Sequence, residues 1–583
     1  MDHSDRPQHE RLTPRPRAGE TAHAAGRRLN SYRVAALPIL EHFLRRLRLK
    51  EFLRSHLPPE DLRARVPTAT ALIVLLQNLL ISREPLYGVG QWATRHDPAR
   101  LGLTPSQLPA LNDDRVGRCL DRLFDTNIPA LTLAVVAHAV REFQVELDEL
   151  HNDSTTVTFH GDYESAESER TLRGRLRLAV THGHNKDHRP DLKQLLYILT
   201  VSRDGAVPVQ FRIESGNATD DCSHQDTWDL LCKLTGRRDF LYVADCKLAT
   251  AENMAHLHQR GGRFLTTLPR TRAEDAAFRT AVHAGLTRWQ AIHERRDDDG
   301  EVVDRFGVHE PEAITAEGYR LIWYHSARKA ELDALTRHKR LERTATALAE
   351  LQAKLTSPRT RYRERAKVAQ AVDAILRDGE AEGLIAVAIE QRPTETYRQE
   401  RRGRPGPDTR YVWRQSVRFD LVWRIDHDRL AQEARCDGIF PLVTNVTTLS
   451  ALELLLAYKQ QPMIEKRFSQ LKTDFVVASV FLKEVSRVQA LLCVYFFALL
   501  VESLLERELR RAMERAGVEN LPLYPEGRAC RRPTARRVID LFEDVQRHEL
   551  TAEGHAAVVF TTELTRLQRR VLRLLGMPRA YSG

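Results

Sequence analysis

The chain of 583 residues is too long for a single hydrophobic core, so we expect three or four domains. Its 89 lysines and arginines outnumber 79 aspartates and glutamates, which gives a net charge of +10. This excess suits a protein that meets a polyanion over part of its surface, although a basic protein with no nucleic-acid role would have the same composition.

Cysteine use and hydropathy exclude other classes. The seven cysteines are scattered without a Cys-x-x-Cys pair, which argues against a zinc site or a disulfide frame. The longest apolar run, residues 490–501, is shorter than the ~20 residues of a membrane helix and is predicted to be a buried helix. Residues 1–5 lack the charged and apolar regions of a signal peptide. We therefore expect a cytoplasmic protein that does not contact a membrane.

The first part of the chain divides into a tail and a helical domain. Residues 1–30 are polar and rich in Arg, His and Pro, which predicts a disordered basic tail. Apolar residues at helical spacing follow, so residues 31–140 are predicted to form an N-terminal helical domain. It contains no clean helix-turn-helix, and both DNA-end binding and a purely structural role remain open.

Residues 145–269 are predicted to contain five strands. The first carries Asp153 in a β-branched run. The second and third, 194–202 and 207–213, flank an Asp-Gly turn, which is a strong hairpin signal. A fourth strand ends at Asp245, and the fifth covers 264–268 after another helix. This order predicts an α/β fold with a mixed five-stranded core, and it resembles the ribonuclease H-like order.

The stretch that follows is longer than such a core requires, so a large insertion domain is predicted at 270–434. It contains an expected helical hairpin with flanking strands. Arg402-Gly403-Arg404-Pro405 has the form of a minor-groove hook, although a Gly-Pro loop between strands explains these residues equally well. The second part of the core is predicted at 435–515, and a C-terminal helical region at 516–583.

A short stretch in the second part of the core concentrates polar side chains. Tyr458, Gln461, Glu465 and Lys472 are spaced so that one continuous helix would place them on a stripe roughly 60° wide. Pro462 fits the first turn of that helix. An ordinary surface helix can show the same spacing by chance, so the pattern gains meaning only if other carboxylates reach this face.

Two upstream acids are candidates to do so. Asp153 lies on the first strand and Asp245 ends the fourth, and open α/β sheets gather ligands at the carboxyl ends of their strands. Together with Glu465 they supply three carboxylates. Carboxylate oxygens suit Mg²⁺, and three of them offset much of the charge of two ions about 4 Å apart.

Asp153, Asp245 and Glu465 resemble the DDE triad of insertion-sequence transposases. The stretch after Tyr458 is similar in spacing to the Tyr-(2)-Arg-(3)-Glu-(6)-Lys signature of the insertion-sequence-four superfamily. Gln461 stands where the signature has arginine, which puts one phosphate contact in doubt. The resemblance covers roughly residues 31–510. Other similar runs are residues 183–194, 216–217, 437–440 and 444–445.

The resemblance implies a DDE transposase, an enzyme that cuts DNA at the ends of its own element and joins the 3′ ends to target DNA. It implies that the three acids hold two Mg²⁺ ions, for which Mn²⁺ can substitute. It also implies that Tyr458, Gln461 and Lys472 contact DNA, and the hook would add Arg402 and Arg404. The expected partners are duplex DNA with terminal inverted repeats and target DNA, bound by a homodimer.

Two other functions remain open. One is a hydrolytic nuclease with the same fold, which would cleave DNA without joining strands. The other is a catalytically silent DNA-binding descendant of a transposase. The intact triad argues against the silent protein, whereas Gln461 argues weakly for it.

Overall fold

The chain folds into mixed α/β structure, as predicted. The computed structural model describes residues 22–24, 27–61, 63–218, 223–297, 299–312, 314–357, 359–474, 482–524, 526–552 and 555–582. Contacts divide the protein into two units. The first comprises Met1–Phe264 and Leu456–Gly583, and the second comprises Leu265–Leu455.

The elements are numbered in chain order. The strands are β1 (Ala22–Ala24), β2 (Arg27–Arg33), β3 (Glu149–Phe159), β4 (Arg170–Leu172), β5 (Arg175–Arg177), β6 (Lys193–Ser202), β7 (Pro208–Ser215), β8 (Leu241–Val243), β9 (Arg263–Thr267), β10 (Gln290–Arg296), β11 (Val302–His309), β12 (Arg320–Ser326), β13 (Ile385–Gln399), β14 (Tyr411–Ile425), β15 (Ile439–Thr444), β16 (Gln546–Ala552) and β17 (Val558–Thr561). The α-helices are α1 (Leu37–Arg46), α2 (Leu49–His56), α3 (Thr68–Ile81), α4 (Val89–Thr94), α5 (Asp113–Phe124), α6 (Ile128–Phe143), α7 (Ser223–Thr235), α8 (Ala251–Gln259), α9 (Ala273–His283), α10 (Ala327–Thr356), α11 (Arg365–Asp378), α12 (His427–Ala434), α13 (Ala451–Tyr458), α14 (Pro462–Ser469), α15 (Val485–Arg515), α16 (Ala535–Asp540) and α17 (Arg566–Leu574).

In the first unit, the strands that carry the candidate site follow the order β8-β3-β6-β7. Strand β6 pairs antiparallel with both β3 and β7, whereas β8 runs parallel to β3. The turn between β6 and β7 contains Asp204 and Gly205, and Gly205 has a φ of +81° that favours glycine. The predicted Asp-Gly hairpin is therefore present.

A long apolar helix, α15, is buried in the first unit. Among the described residues it is long and apolar enough to cross a membrane, and the bent pair α5 and α6 passes the same test only if counted as one span. However, 94% of the most apolar window of α15 is buried. The bidentate pair of Arg487 with Asp121 of α5, at 2.8 and 3.0 Å, links the helix to the N-terminal helices. Such burial is typical of a core helix.

The two ends of the described chain meet in a second sheet of the first unit, with the order β1-β2-β16-β17. Strand β2 pairs antiparallel with β16, from Arg33 opposite Gln546 to Arg27 opposite Ala552. The prediction of a disordered tail through residue 30 is therefore wrong for the part that lies in β2, while residues 1–21 lie outside the described residues. The C-terminal region is likewise not purely helical, because it supplies β16 and β17.

The second unit contains strands in the order β10-β11-β12-β15-β9, in which neighbouring strands run antiparallel. The insertion predicted at 270–434 lies within this unit, which extends to Leu455 and includes β15. Helices α10 and α11 form the expected helical hairpin. They pack with the base of a separate two-stranded ribbon, β13 and β14, around buried side chains such as Leu348, Val368 and Phe419.

Candidate active site

Two of the predicted acids stand at equivalent positions on adjacent parallel strands. In the pairing of β3 with β8, His151 is the register partner of Val243. Asp153 lies two residues beyond His151, and Asp245 lies two residues beyond Val243, just after β8 ends. Side chains two residues apart on a strand share a face, and neighbouring strands are about 4.8 Å apart. The register therefore brings both carboxylates to one edge of the sheet.

Local hydrogen bonds orient these two aspartates. The Oδ1 atom of Asp245 accepts a hydrogen bond from the backbone N–H of Lys247 at 3.1 Å, which caps a short turn after the strand. The Oδ1 atom of Asp153 accepts from the backbone N–H of Ser154 at 2.7 Å. The side chain of Asp153 is 25% exposed, so the carboxylate is both held by the strand and accessible.

Glu465 lies in the first turn of α14, where the helix dipole stabilises a negative charge. Its side chain is exposed, while Ile464, Arg467 and Phe468 anchor the opposite side of the helix in the core. The short helix thus presents one carboxylate outward and uses its buried face for attachment. Pro462 begins this helix, as predicted from its ring geometry.

Arg467 ties α14 to the sheet. It is 1% exposed, and its guanidinium donates to the backbone carbonyls of Gly205 at 2.9 Å and Ala206 at 3.0 Å, in the turn between β6 and β7. It also donates to Glu506 of α15 at 3.1 Å. A buried guanidinium with these partners is satisfied and fixes the helix in place. Arg467 therefore has a structural role.

Tyr458 lies within electrostatic reach of all three predicted acids. Burial, and then the charges of Asp245, Cys246, Glu465 and Asp153, raise the pKa of the Tyr458 hydroxyl to about 12. Each predicted acid therefore exerts its electrostatic effect on the same phenol, although the chain separates them widely. The phenol stays neutral at physiological pH and keeps a proton to donate.

The prediction of one continuous helix from Tyr458 to Lys472 is wrong. Tyr458 is the last residue of α13, residues 459–461 form a break, and α14 begins at Pro462. Lys472 lies in a π-helical turn, Gln470–Asp474. A break and a change of helix type both alter the angle per residue, so the stripe predicted from uniform 100° steps does not exist. Tertiary packing, rather than one helix face, brings Tyr458 and Glu465 together.

A loop that precedes β6 contributes two further charged groups, Lys186 and Asp187. The ammonium of Lys186 lies 3.6 Å from Oδ1 of Asp153 and donates to the backbone carbonyl of Ser154 at 2.8 Å. Asp187 accepts from Lys472 at 2.6 Å. Helical spacing could not predict either group, although both lie in the family-like run 183–194.

Two glycines explain why this loop has its shape. A Cβ atom at Gly183 would lie 2.0 Å from the carbonyl oxygen of Gly216, and one at Gly216 would lie 2.2 Å from the carbonyl oxygen of Gln194. The amide of Gln194 also donates to the Gly216 carbonyl at 2.8 Å. The family-like runs 183–194 and 216–217 thus meet where two backbones approach too closely for any side chain.

The remaining predicted DNA contacts lie in different surroundings. Gln461 precedes α14, and its side-chain Nε2 atom is buried without a hydrogen-bond partner. Arg402 and Arg404 are exposed in the loop that joins β13 to β14 in the second unit. Lys472 is not a free cation, because Asp187 neutralises it.

The donor chemistry of the triad suits a hard divalent cation. Three carboxylates form the oxygen-only set that Mg²⁺ and Mn²⁺ prefer. Within the part of the chain that the structure describes, no three His, Cys, Asp or Glu side chains are placed so that they could hold one metal ion. Binding of a metal ion would therefore require the three carboxylates to move closer together and Lys186 to move away from Asp153.

Comparisons with known proteins give limited information. A family model described as a domain of unknown function (DUF4277) matches residues 29–137, which lie mainly in the N-terminal helices. No curated protein matches the sequence. A solved structure of the piggyBac transposase synaptic complex with hairpin DNA is similar at 9% identity and a TM-score of 0.24, covering 48% of this chain and 57% of that one. The chain thus spans little more than half of that protein, and at this TM-score the likeness carries no weight.

Proposed function

We propose that the protein is a DDE transposase that cleaves DNA at the ends of its own element and joins the 3′ ends to target DNA. The observation that carries this proposal is the placement of the three acids. Asp153 lies on β3, Asp245 follows the end of the adjacent parallel strand β8, and both lie with Glu465 within electrostatic reach of the Tyr458 hydroxyl.

The strand order supports a ribonuclease H-like core. Strand β3 lies between the antiparallel β6 and the parallel β8, and β7 follows at the outer side of β6. In the ribonuclease H-like order that the sequence resembles, the first acid lies on strand one, the second at the end of strand four, and the third on a later helix. Asp153 on β3, Asp245 after β8 and Glu465 on α14 are compatible with that order.

The chemistry assigned to the site is phosphodiester cleavage and strand transfer without a covalent enzyme intermediate. Asp153, Asp245 and Glu465 would hold two Mg²⁺ ions, which activate the attacking hydroxyl and stabilise the leaving oxygen when bound. The neutral hydroxyl of Tyr458 can donate a hydrogen bond to a phosphate oxygen beside the acids. Arg467 keeps Glu465 in position through its bonds to the turn between β6 and β7.

DNA would be bound by cations in both units. Lys472 would exchange its partner Asp187 for a phosphate, and Gln461 would offer an amide where the family has a charge. Arg402 and Arg404 would enter a minor groove from the exposed loop. We further propose that the active form is a homodimer on terminal inverted repeats, in the cytoplasm and associated with the nucleoid.

The decisive experiment uses a plasmid in which the DNA that flanks the gene surrounds a marker. The full-length protein with Mg²⁺ should cut at the element ends and join the marker to a target plasmid. Asp245→Asn should abolish both products but keep binding to end DNA, since binding depends mainly on cations. Asp226→Asn, which removes an exposed carboxylate paired with Arg212, is the matched control and should stay active.

Three outcomes separate the candidate functions. Cutting with joined products supports the transposase. Cutting without joined products under the same conditions would identify a hydrolytic nuclease. Binding to end DNA without cutting, in Mg²⁺ and in Mn²⁺, would identify a silent DNA-binding protein and overturn the proposal.

A further inference from the structure

The ribbon of β13 and β14 extends beyond the core that holds it. Its strands pair in register from Ile385 opposite Ile425 to Gln399 opposite Tyr411. At the base, Phe419 and Leu421 are buried with α10 and α11. Beyond the base, residues 390–417 are almost entirely exposed, and neither strand pairs with another strand among the described residues. A free two-stranded ribbon is marginally stable by itself, so we expect an exposed arm of this length to bind a partner.

The two faces of this distal half differ sharply in chemistry. Side chains alternate along each strand, and residues directly opposite each other share a face. One face continues the buried side of the base and carries the rings of Tyr397 and Trp413, which are 67% and 50% exposed. The other face carries arginines and hydroxyls, namely Arg392, Thr394, Thr396 and Arg398 opposite Arg418, Ser416, Arg414 and Val412. We call it the basic face.

The arginines toward the tip make no ion pairs. At the base, Arg392 pairs with Asp420, and Arg418 donates to the carbonyl of Thr356 at 3.1 Å. Farther out, no carboxylate of the described residues lies within ion-pair distance of Arg398, Arg401, Arg402, Arg404, Arg410 or Arg414, which leaves Arg392 as the ion-paired arginine of residues 390–417. This differs from the site region, where Lys472 and Arg467 each have a carboxylate partner.

We propose that the basic face is a binding surface for the phosphates of duplex DNA, without regard to sequence. Arginine guanidinium groups and threonine and serine hydroxyls are the usual donors to phosphate oxygens. Along one strand, side chains of one face recur about every 7 Å, and the opposite strand adds a parallel row, so the surface matches a repeating charged backbone. The inference rests on the proposed function for the kind of partner. It adds a surface that binds the DNA at a distance from the reacting phosphate.

The test measures DNA binding without catalysis. The full-length protein is titrated with a 30-base-pair duplex of arbitrary sequence in EDTA, over a series of salt concentrations. The double variant Arg398→Gln with Arg414→Gln removes two charges from the basic face. The control, Lys339→Gln with Arg343→Gln, removes two exposed charges from α10 in the same unit. Circular dichroism and melting curves should show that both variants fold.

We expect the basic-face variant to lower the slope of log affinity against log salt by about two and the control to leave it unchanged. An unchanged slope in the basic-face variant overturns the proposal. The proposal is also overturned if the basic-face variant keeps the salt slope but differs from the wild type in mass, measured by light scattering without DNA. The ribbon would then be a contact between copies of the chain. Because EDTA prevents cleavage and the duplex is not an element end, these outcomes are independent of whether the triad is catalytic.

Discussion

Lys472 donates a hydrogen bond to Asp187 over 2.6 Å and so joins the turn that follows the Glu465 helix to the loop that precedes β6. The preceding residue in that loop, Lys186, lies 3.6 Å from the carboxylate of Asp153. Two lysine-carboxylate contacts thus connect elements that carry the first and third acids. These contacts lead to testable consequences for DNA binding and metal affinity.

The first prediction concerns the cations that face DNA. Lys472→Ala should weaken binding to end-sequence duplex and lower the salt slope by about one, because one phosphate contact is lost. Asp187→Asn should strengthen binding, since it releases Lys472 from its partner. Gln461→Arg should steepen the slope by adding a cation. If none of these substitutions moves the slope in the salt series, this face does not touch the DNA backbone.

The second prediction concerns Lys186. Its ammonium repels a cation that approaches Asp153, so Lys186→Met should tighten Mn²⁺ binding roughly three- to tenfold in the absence of DNA. Lys186→Arg keeps the charge and should bind Mn²⁺ like the wild type. Titration calorimetry or electron paramagnetic resonance would measure both. Equal affinities of all three proteins would mean that the metal does not bind beside Asp153.

The third prediction tests the convergence of the acids without DNA or metal. Because the charge of Asp245 helps to raise the pKa of Tyr458 to about 12, Asp245→Asn should lower that pKa. Tyrosinate absorbance is followed from pH 9 to the onset of alkaline unfolding, and the Tyr458→Phe variant identifies the signal of this ring. Glu563→Gln is the control, because this exposed acid is not among the charges that raise the pKa of Tyr458. An unshifted titration in Asp245→Asn would place the carboxylate away from the phenol.

The fourth prediction concerns the buried network that holds α14. Arg467→Met should destabilise the protein by about 3 kcal/mol in denaturant unfolding, because it leaves two carbonyls without their donor and removes one of the three cations that contact Glu506. Arg141→Met, at an exposed position, should cost little. A cost below about 1 kcal/mol for Arg467→Met would show that the network does not hold the helix.

The pH dependence of this difference has a definite sign. Burial opposes it, but the charges of Arg467, Lys466 and Arg510 hold the pKa of Glu506 below its usual value of 4.5. A lowered folded-state pKa contributes stability that is present above 4.5 and is lost as pH falls through the folded pKa. The free-energy difference between wild type and Arg467→Met should therefore be constant above pH 5 and shrink below pH 4.5.

The fifth prediction concerns the close approach of two backbones. Gly183→Ala should destabilise the first unit by roughly 2 kcal/mol or more, because its Cβ atom would collide with the Gly216 carbonyl. Gly403→Ala meets nothing within 4 Å and should be nearly neutral in the same melting experiment. Equal melting temperatures would show that the loop can shift to admit a side chain.

Much of the local structure could be predicted from the sequence, because its determinants lie within a few residues. A β-branched run predicted β3, the Asp204-Gly205 turn between two apolar runs predicted β6 and β7, and an apolar run predicted the buried helix α15. The bounds of β6 and β7 lie within two residues of the expected ones, whereas α15 extends well beyond the apolar run 490–501. The sheet of β2 and β16 was missed, because pairing between residues more than 500 positions apart leaves no local pattern.

For the candidate site, the sequence by itself determined which acids to consider, through residue type, strand ends and family-like spacing. Only the tertiary structure decided how they are arranged. The pairing of β3 with β8 places Asp153 level with Asp245, and the break before Pro462 with the π-helical turn replaces the single helix face expected from spacing. The partners Lys186, Asp187 and Arg467 follow from packing between distant segments, since a charge on a side chain does not encode which remote group it will meet.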